Sequence, residues 1–217
     1  MDPANKNALL ALANDVNLRA PQWEEISRYV ELIENWNQRT NLVSRQDIGR
    51  IVSRHVRESL WFIRPEVLGD ALRVLDLGSG AGFPGVPMKI SEPRLQLTLL
   101  DSRQMKALFL AEVISQFGWQ DAQALCERAE NLPERFPGLT CDLVVCRAVA
   151  KLPDLWRWAS PLLRPGGRLA ALKGGDLSAE LHQFGKRYPA LRWQLVPMPD
   201  LPDDPAAGRQ MVIVQTL

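Results

Sequence analysis

The chain has 217 residues, 46% of them apolar, and its 26 Lys and Arg nearly balance 25 Asp and Glu for a formal charge of +1. That composition excludes a disordered or fibrous chain and predicts one large domain, or a domain with a small appendage, around a sizeable core. Three cysteines without a C-x-x-C pair and two histidines leave neither a disulfide framework nor a metal cluster to expect.

The first residues, MDPANKNALLALAND, hold no basic leader, and no window reaches the roughly 18 uninterrupted apolar residues of a membrane span. The expectation is a cytoplasmic monomer with no membrane or metal partner. Residues 1–70 read as helices: a short Ala/Leu-rich one over about 5–18, a second opened by Pro21 with Trp23, Ile26, Val30 and Ile33 as its stripe, and a third from about Asp47 to Ile63. In the third, Arg50, Arg54 and Arg57 recur at i, i+4 and i+7 on one face with Trp61, opposite Val52, Val56, Leu60 and Ile63. Such a ridge suits a nucleic-acid backbone with a stacked base, and equally an ordinary solvated face. Arg supplies 20 of the 26 basic residues, which favours phosphate and base reading but also follows from a GC-rich genome.

From Leu72 strands and helices alternate: strand 72–77, helix 85–91, strand 95–100, helix 103–117 ending at Gly118, strands 122–126 and 141–146, helix 153–163, strand 168–173 and helix 176–187. Continuous apolar strands such as LVVC predict a parallel sheet covered on both faces. WQLVPM and RQMVIVQTL, joined by a Pro/Gly-rich loop too short for a crossover helix, should be antiparallel. The division is an N-terminal helical subdomain, 1–70, and a seven-stranded, mostly parallel α/β domain, 71–217.

Between strand and helix, VLDLGSGAGFPG (74–85) carries Asp76 and then Gly78, Gly80 and Gly82. Glycines there let a ligand reach bare backbone beside unpaired N–H groups. A dinucleotide fingerprint also fits Gly80, Gly82 and Gly85, but its first Gly belongs directly after the strand, and Pro84 falls where its helix would already run. The D-x-G-x-G-x-G form resembles motif I of class I (Rossmann-like) methyltransferases, which bind S-adenosylmethionine. Asp101, closing LLDS ahead of Ser102, can accept ribose hydroxyls or merely cap a helix. Ala129 and Glu130 follow the third strand where an adenine would lie, though Glu130 also reads as surface. Arg147 ends the fourth strand at the ligand-binding edge. Pro165-Gly166-Gly167, in an L-x-P-G-G-x-L turn before the fifth strand, resembles a turn at that place in methyltransferases. CRAVAK at the end of strand four is not the N/D-P-P-Y-like segment of amino-methylating enzymes. Cys146 reads as core filling rather than a nucleophile.

The runs NLVS (41–44), RHVRES (54–59), LDLGSGAGFPGVP (75–87), LLDS with Lys106, RAE (128–130), CRAVA (146–150) and ALKG (171–174) are similar to those of the RsmG family, also called GidB, from about Asn41 to the C-terminus. The resemblance implies S-adenosylmethionine-dependent methylation of guanine N7 in 16S rRNA, at position 527 in the 530 loop, on the assembled small ribosomal subunit or a late precursor rather than naked RNA. It implies cofactor contacts at Gly78, Phe83, Ala129, Glu130 and Arg147; Asp101, from its place at the strand end, and Asp76, Gly80, Gly82 and Ser102 are expected beside them. RNA contacts are expected at Arg50, Arg54, His55, Arg57 and Lys106. Glu58 stands where the family often has Asp, Cys146 where Ser is common, and Ala107 where a second basic residue often follows Lys106. A non-catalytic ribosome-binding protein and a small-metabolite methyltransferase are the competing readings.

Overall fold

A computed structural model describes residues 1–16, 18–198 and 208–215. Helix α1 (Pro3–Asp15) starts where Asp2 accepts from the Ala4 N–H at 2.8 Å, and α2 (Ala20–Asn37) starts at Pro21 in its first turn. Ile26, Tyr29, Val30 and Ile33 of α2 are buried.

The expected continuous helix over Asp47–Ile63 is not regular. It is a 3₁₀ turn (Ile48–Arg50), a π-helix (Ile51–Val56), one α-helical turn α3 (Arg57–Leu60) and a second 3₁₀ turn (Trp61–Ile63). The cause lies in α1. Asn5, fully buried, accepts from the Val52 N–H at 3.2 Å and donates to the Ile48 carbonyl at 2.9 Å. Those two backbone groups would bond to each other in an α-helix, and an inserted amide side chain splits them and widens the turn. The i, i+4, i+7 face drawn through Arg50, Arg54 and Arg57 is broken as a result. Helix α4 (Pro65–Leu68) leads into the sheet.

The rest follows the alternation: β1 (Arg73–Leu77), α5 (Gly85–Ser91), β2 (Gln96–Asp101), α6 (Gln104–Phe117), β3 (Ala122–Cys126), α7 (Leu132–Arg135), β4 (Cys141–Arg147), α8 (Leu152–Ala159), β5 (Leu163–Lys173), α9 (Ser178–Arg187), β6 (Arg192–Pro197) and β7 (Gln210–Gln215). The sheet order is β3-β2-β1-β4-β5-β7-β6, parallel through β5, with β7 antiparallel to both β5 and β6. The Pro/Gly-rich loop before β7 lies outside the described residues, as do 216 and 217 at the end of the last expected strand. Pro165-Gly166-Gly167 does not precede the fifth strand but forms a bulge within it: pairing jumps from Cys141–Leu163 to Leu143–Arg168.

One apolar cluster joins Ile26, Ile33, Val52 and Val56 to Phe109 of α6 and to Val74, Leu97 and Leu143 on one sheet face. The N-terminal helices and the sheet thus share a core, and the 70/71 boundary falls in the turn between α4 and β1. A second cluster packs α8 and α9, through Leu155, Trp156 and Phe184, on the other face. Strand order reverses between β1 and β4, so their carboxyl ends open the crevice where such sheets take ligands. Among the described residues no helix is long and apolar enough to cross a membrane.

Candidate active site

The loop after β1 holds Gly78, Gly80 and Gly82 at φ +75°, +61° and +98°, where a side chain is strained. A Cβ on Gly78 would lie 2.8 Å from Val149 Cγ2, so only a glycine lets the loop pass this close to Val149. Two cavities share Gly78, Asp101, Ser102 and Val149. The first, about 480 Å³, is also lined by Gly80, Phe83, His55, Lys106 and Arg147; the second, about 250 Å³, by Ala129, Glu130 and Trp158. A larger groove of about 580 Å³ lies at the opposite end of the strands, beside Arg73, Thr98 and Cys141, and gathers none of the expected site residues.

Not every glycine or acid of the motif faces the cleft. Asp76 is completely buried, and its Oδ2 accepts from the Gly85 N–H at 2.9 Å, bracing the loop from beneath. Burial pushes its carboxyl up to about 7. Gly82 is packed: a Cβ there would fall 2.7 Å from Val86 Cγ2 and 2.8 Å from the Tyr29 hydroxyl. That hydroxyl donates to the Ala81 carbonyl at 2.5 Å, so α2 pins the loop directly. Asp101 does line both cavities, while accepting from the Gly80 N–H and the Arg103 N–H, each at 2.9 Å.

Arg147 joins the two parts of the chain. Its Nη1 donates to Glu58 Oε2 at 2.6 Å and to His55 Nδ1 at 2.8 Å, and its guanidinium stands 5.2 Å over the Phe83 ring. Glu58, 2% exposed, also pairs with Arg209 of the C-terminal hairpin and lies 3.6 Å from Arg54. Burial, then the Arg147 charge, drives the His55 imidazole down to about 3. A guanidinium has no acceptor, so Nδ1 of this neutral ring accepts and Nε2 carries the proton.

The three arginines of the expected ridge lie on an irregular helix. Arg54 donates to Asp47 at 2.9 Å; like Arg50 and Arg57 it is half-exposed, and none of the three lines either cavity. Trp61 is covered by Arg64, 4.3 Å away, rather than presented with them. Lys106 reaches the first cavity. Cys146 is 1% exposed, with its thiol pushed up to about 12 by burial, and is no nucleophile. Asp47, Arg209 and Tyr29 were not singled out by sequence, where no motif marks them; Glu58 stood out only as a substitution within RHVRES.

A family described as rRNA small subunit methyltransferase G (GidB) matches residues 22–204. Proteins named ribosomal RNA small subunit methyltransferase G include one from Laribacter hongkongensis, 41% identical over 77% of this chain and 78% of its own length. Another, from Chlorobium luteolum, is 37% identical over 79% of this chain and 71% of its own. Among solved structures, a putative O-methyltransferase from Klebsiella pneumoniae superposes with a TM-score of 0.62 at 16% identity, covering 95% of this chain and 94% of that one. An rRNA methylase from Streptococcus thermophilus gives 0.53 at 16% identity, over 76% and 97%. These structures share the fold; the sequence matches go further, and the chain belongs to the rRNA small subunit methyltransferase G family.

Proposed function

We propose that the chain transfers the methyl group of S-adenosylmethionine to N7 of a guanine in 16S rRNA of the small ribosomal subunit, in the cytoplasm. The observation that carries this reading is a cleft fitted to hold a nucleoside, in which neither the lining histidine nor the neighbouring thiol is free to take a proton. Both His55 nitrogens are committed, one to Arg147 and one to its own proton, and the Cys146 thiol is buried. An acceptor that is already nucleophilic suits such a cleft, and guanine N7 carries a lone pair and no hydrogen.

The residues fit the cofactor. Backbone at Gly78 and Gly80 replaces the side chains that would fill the cleft, and Asp101 accepts the ribose hydroxyls. Ala129 and Glu130 border the compartment for the adenine. When bound, the cofactor supplies an electrophilic sulfonium methyl. Arg147, held by Glu58 and His55, fixes the wall beside Phe83, and Lys106 and Arg103 at the first cavity meet RNA phosphate. Positioning of this kind lowers a barrier by roughly 7–11 kcal/mol.

The test is to purify small subunits from cells lacking the gene, incubate them with the protein and methyl-labelled cofactor, and map the label by mass spectrometry. Label on N7 of one 16S guanine is the expected result. Label on an exocyclic nitrogen or a pyrimidine carbon, or none, overturns it.

A further inference from the structure

We propose that Asp47 and His55 are the base-selecting pair of the cleft: His55 donates to O6 and Asp47 accepts from N1–H and N2–H of the target guanine, turning its N7 toward the cofactor loop. This assignment rests on the methyl-transfer reading above and names the residues that choose the base.

Both side chains line the first cavity. His55 Nε2 lies 4.0 Å from Asp47 Oδ2, too far for a hydrogen bond between them and suited to two adjacent positions on one edge of a purine. Arg147 occupies His55 Nδ1, so the ring offers the cleft a single fixed donor, Nε2–H. Asp47 offers acceptors only. Burial works against its charge, but the Ser44 hydrogen bond and the Arg54 guanidinium outweigh burial and hold its carboxyl below the usual range. Its Oδ1 accepts from Arg54 Nη1 at 2.9 Å and its Oδ2 from Ser44 Oγ at 2.9 Å. A carboxylate has about four lone pairs, so each oxygen keeps one for a ligand.

The order of the pair discriminates between bases. His55 is packed against the cofactor loop, its ring 5.2 Å from that of Phe83, whereas Asp47 is anchored to Ser44 and Arg54 on the N-terminal segment. Moving away from N7, guanine presents an acceptor, O6, and then two donors, N1–H and N2–H. Adenine presents the reverse, the N6–H donor next to N7 and the N1 acceptor beyond it. Pyrimidines have no N7. A donor beside the loop and a carboxylate past it therefore match guanine and mismatch adenine at both positions. Rejection is strong because adenine sets its N6–H donor against the His55 N–H, which is left without an acceptor, and its N1 lone pair against the Asp47 carboxylate.

The experiment uses the full chain and reconstituted small subunits whose mapped target nucleotide is guanosine, inosine, which lacks only the N2 amine, or 7-deazaguanosine. The wild-type protein is expected to methylate guanosine about 10–100-fold faster than inosine in single turnover. Asp47→Ala should bring that ratio close to one. His55→Gln, which keeps an N–H donor, should be at least about tenfold faster on guanosine than His55→Leu. An inosine rate equal to the guanosine rate in the wild type overturns the assignment even if the Asp47 variant does not fold. So does an Asp47 variant that keeps the wild-type ratio. Methyl transfer to 7-deazaguanosine overturns the N7 reading instead, and the inosine ratio still judges the pair.

Discussion

Glu58 and Arg147 meet at 2.6 Å across 89 positions of the chain, tying the irregular N-terminal helix to the carboxyl end of β4. The carboxylate also receives Arg209, so helix, sheet centre and C-terminal hairpin converge on one buried anion at the edge of the cleft.

Removing that charge leaves Arg147 and Arg209 without their common counter-ion. Glu58→Gln is expected to lower folding stability by about 3–5 kcal/mol, because breaking one side of a buried pair strands the other. Urea denaturation checks this, and a midpoint within error of the wild type would show that solvent reaches the cluster.

Two buried groups give stability opposite pH slopes. Asp76 titrates near 7 in the fold against an ordinary 3.8, so its contribution is complete below about 3.8 and is lost as pH rises through 7. His55, moved from 6.5 down to about 3, contributes fully above 6.5 and loses that contribution as pH falls toward 3. Asp76→Asn keeps an acceptor for the Gly85 N–H and should be more stable than the wild type above pH 7 by about 2–4 kcal/mol. Thermal or urea unfolding from pH 5 to 9 checks it; parallel curves would refute the shift.

Asp101→Ala should weaken S-adenosylmethionine binding by about 1–3 kcal/mol, since ribose hydroxyls and the Gly80 and Arg103 N–H groups lose their acceptor. Calorimetry with unchanged affinity would move the ribose partner elsewhere.

Lys106→Gln should reduce affinity for the small subunit and lower the slope of log K against log salt by about one, with cofactor affinity retained. Binding measured across a salt series decides; an unchanged slope would place phosphate contact away from the first cavity.

Single-turnover methyl transfer should be nearly flat from pH 6.5 to 8.5, because no proton is removed from the acceptor and the general-base contribution of about 10²–10⁴-fold is not called on. Cys146→Ser should remain active. A rate governed by one ionisation, or a lost chemical step in that variant, would point to another acceptor atom.

Local signals in the sequence were enough to place the sheet. Apolar runs, Gly118 closing α6 and the glycine loop after β1 each act over a few residues, so the order of the strands, the antiparallel β6–β7 pair and the arrival of Asp101, Glu130 and Arg147 at one sheet edge were legible in the sequence, while the early start of β5 was not. Only the tertiary structure decided how the N-terminal helices serve that edge. Asn5 reaches 47 positions along the chain to split the Ile48–Val52 backbone pair, an interaction no window of helical periodicity contains. The resulting π-helix replaces the regular helix assumed for the arginine ridge, and half-exposed Arg54 pairs with Asp47 beside Glu58. Asp76 and Gly82 likewise share the glycine motif with Gly78 and Gly80 but serve its packing, against Gly85 and Tyr29. Spacing along a chain states which residues are neighbours in sequence; burial, tautomer and charge partner are fixed by what folds onto them.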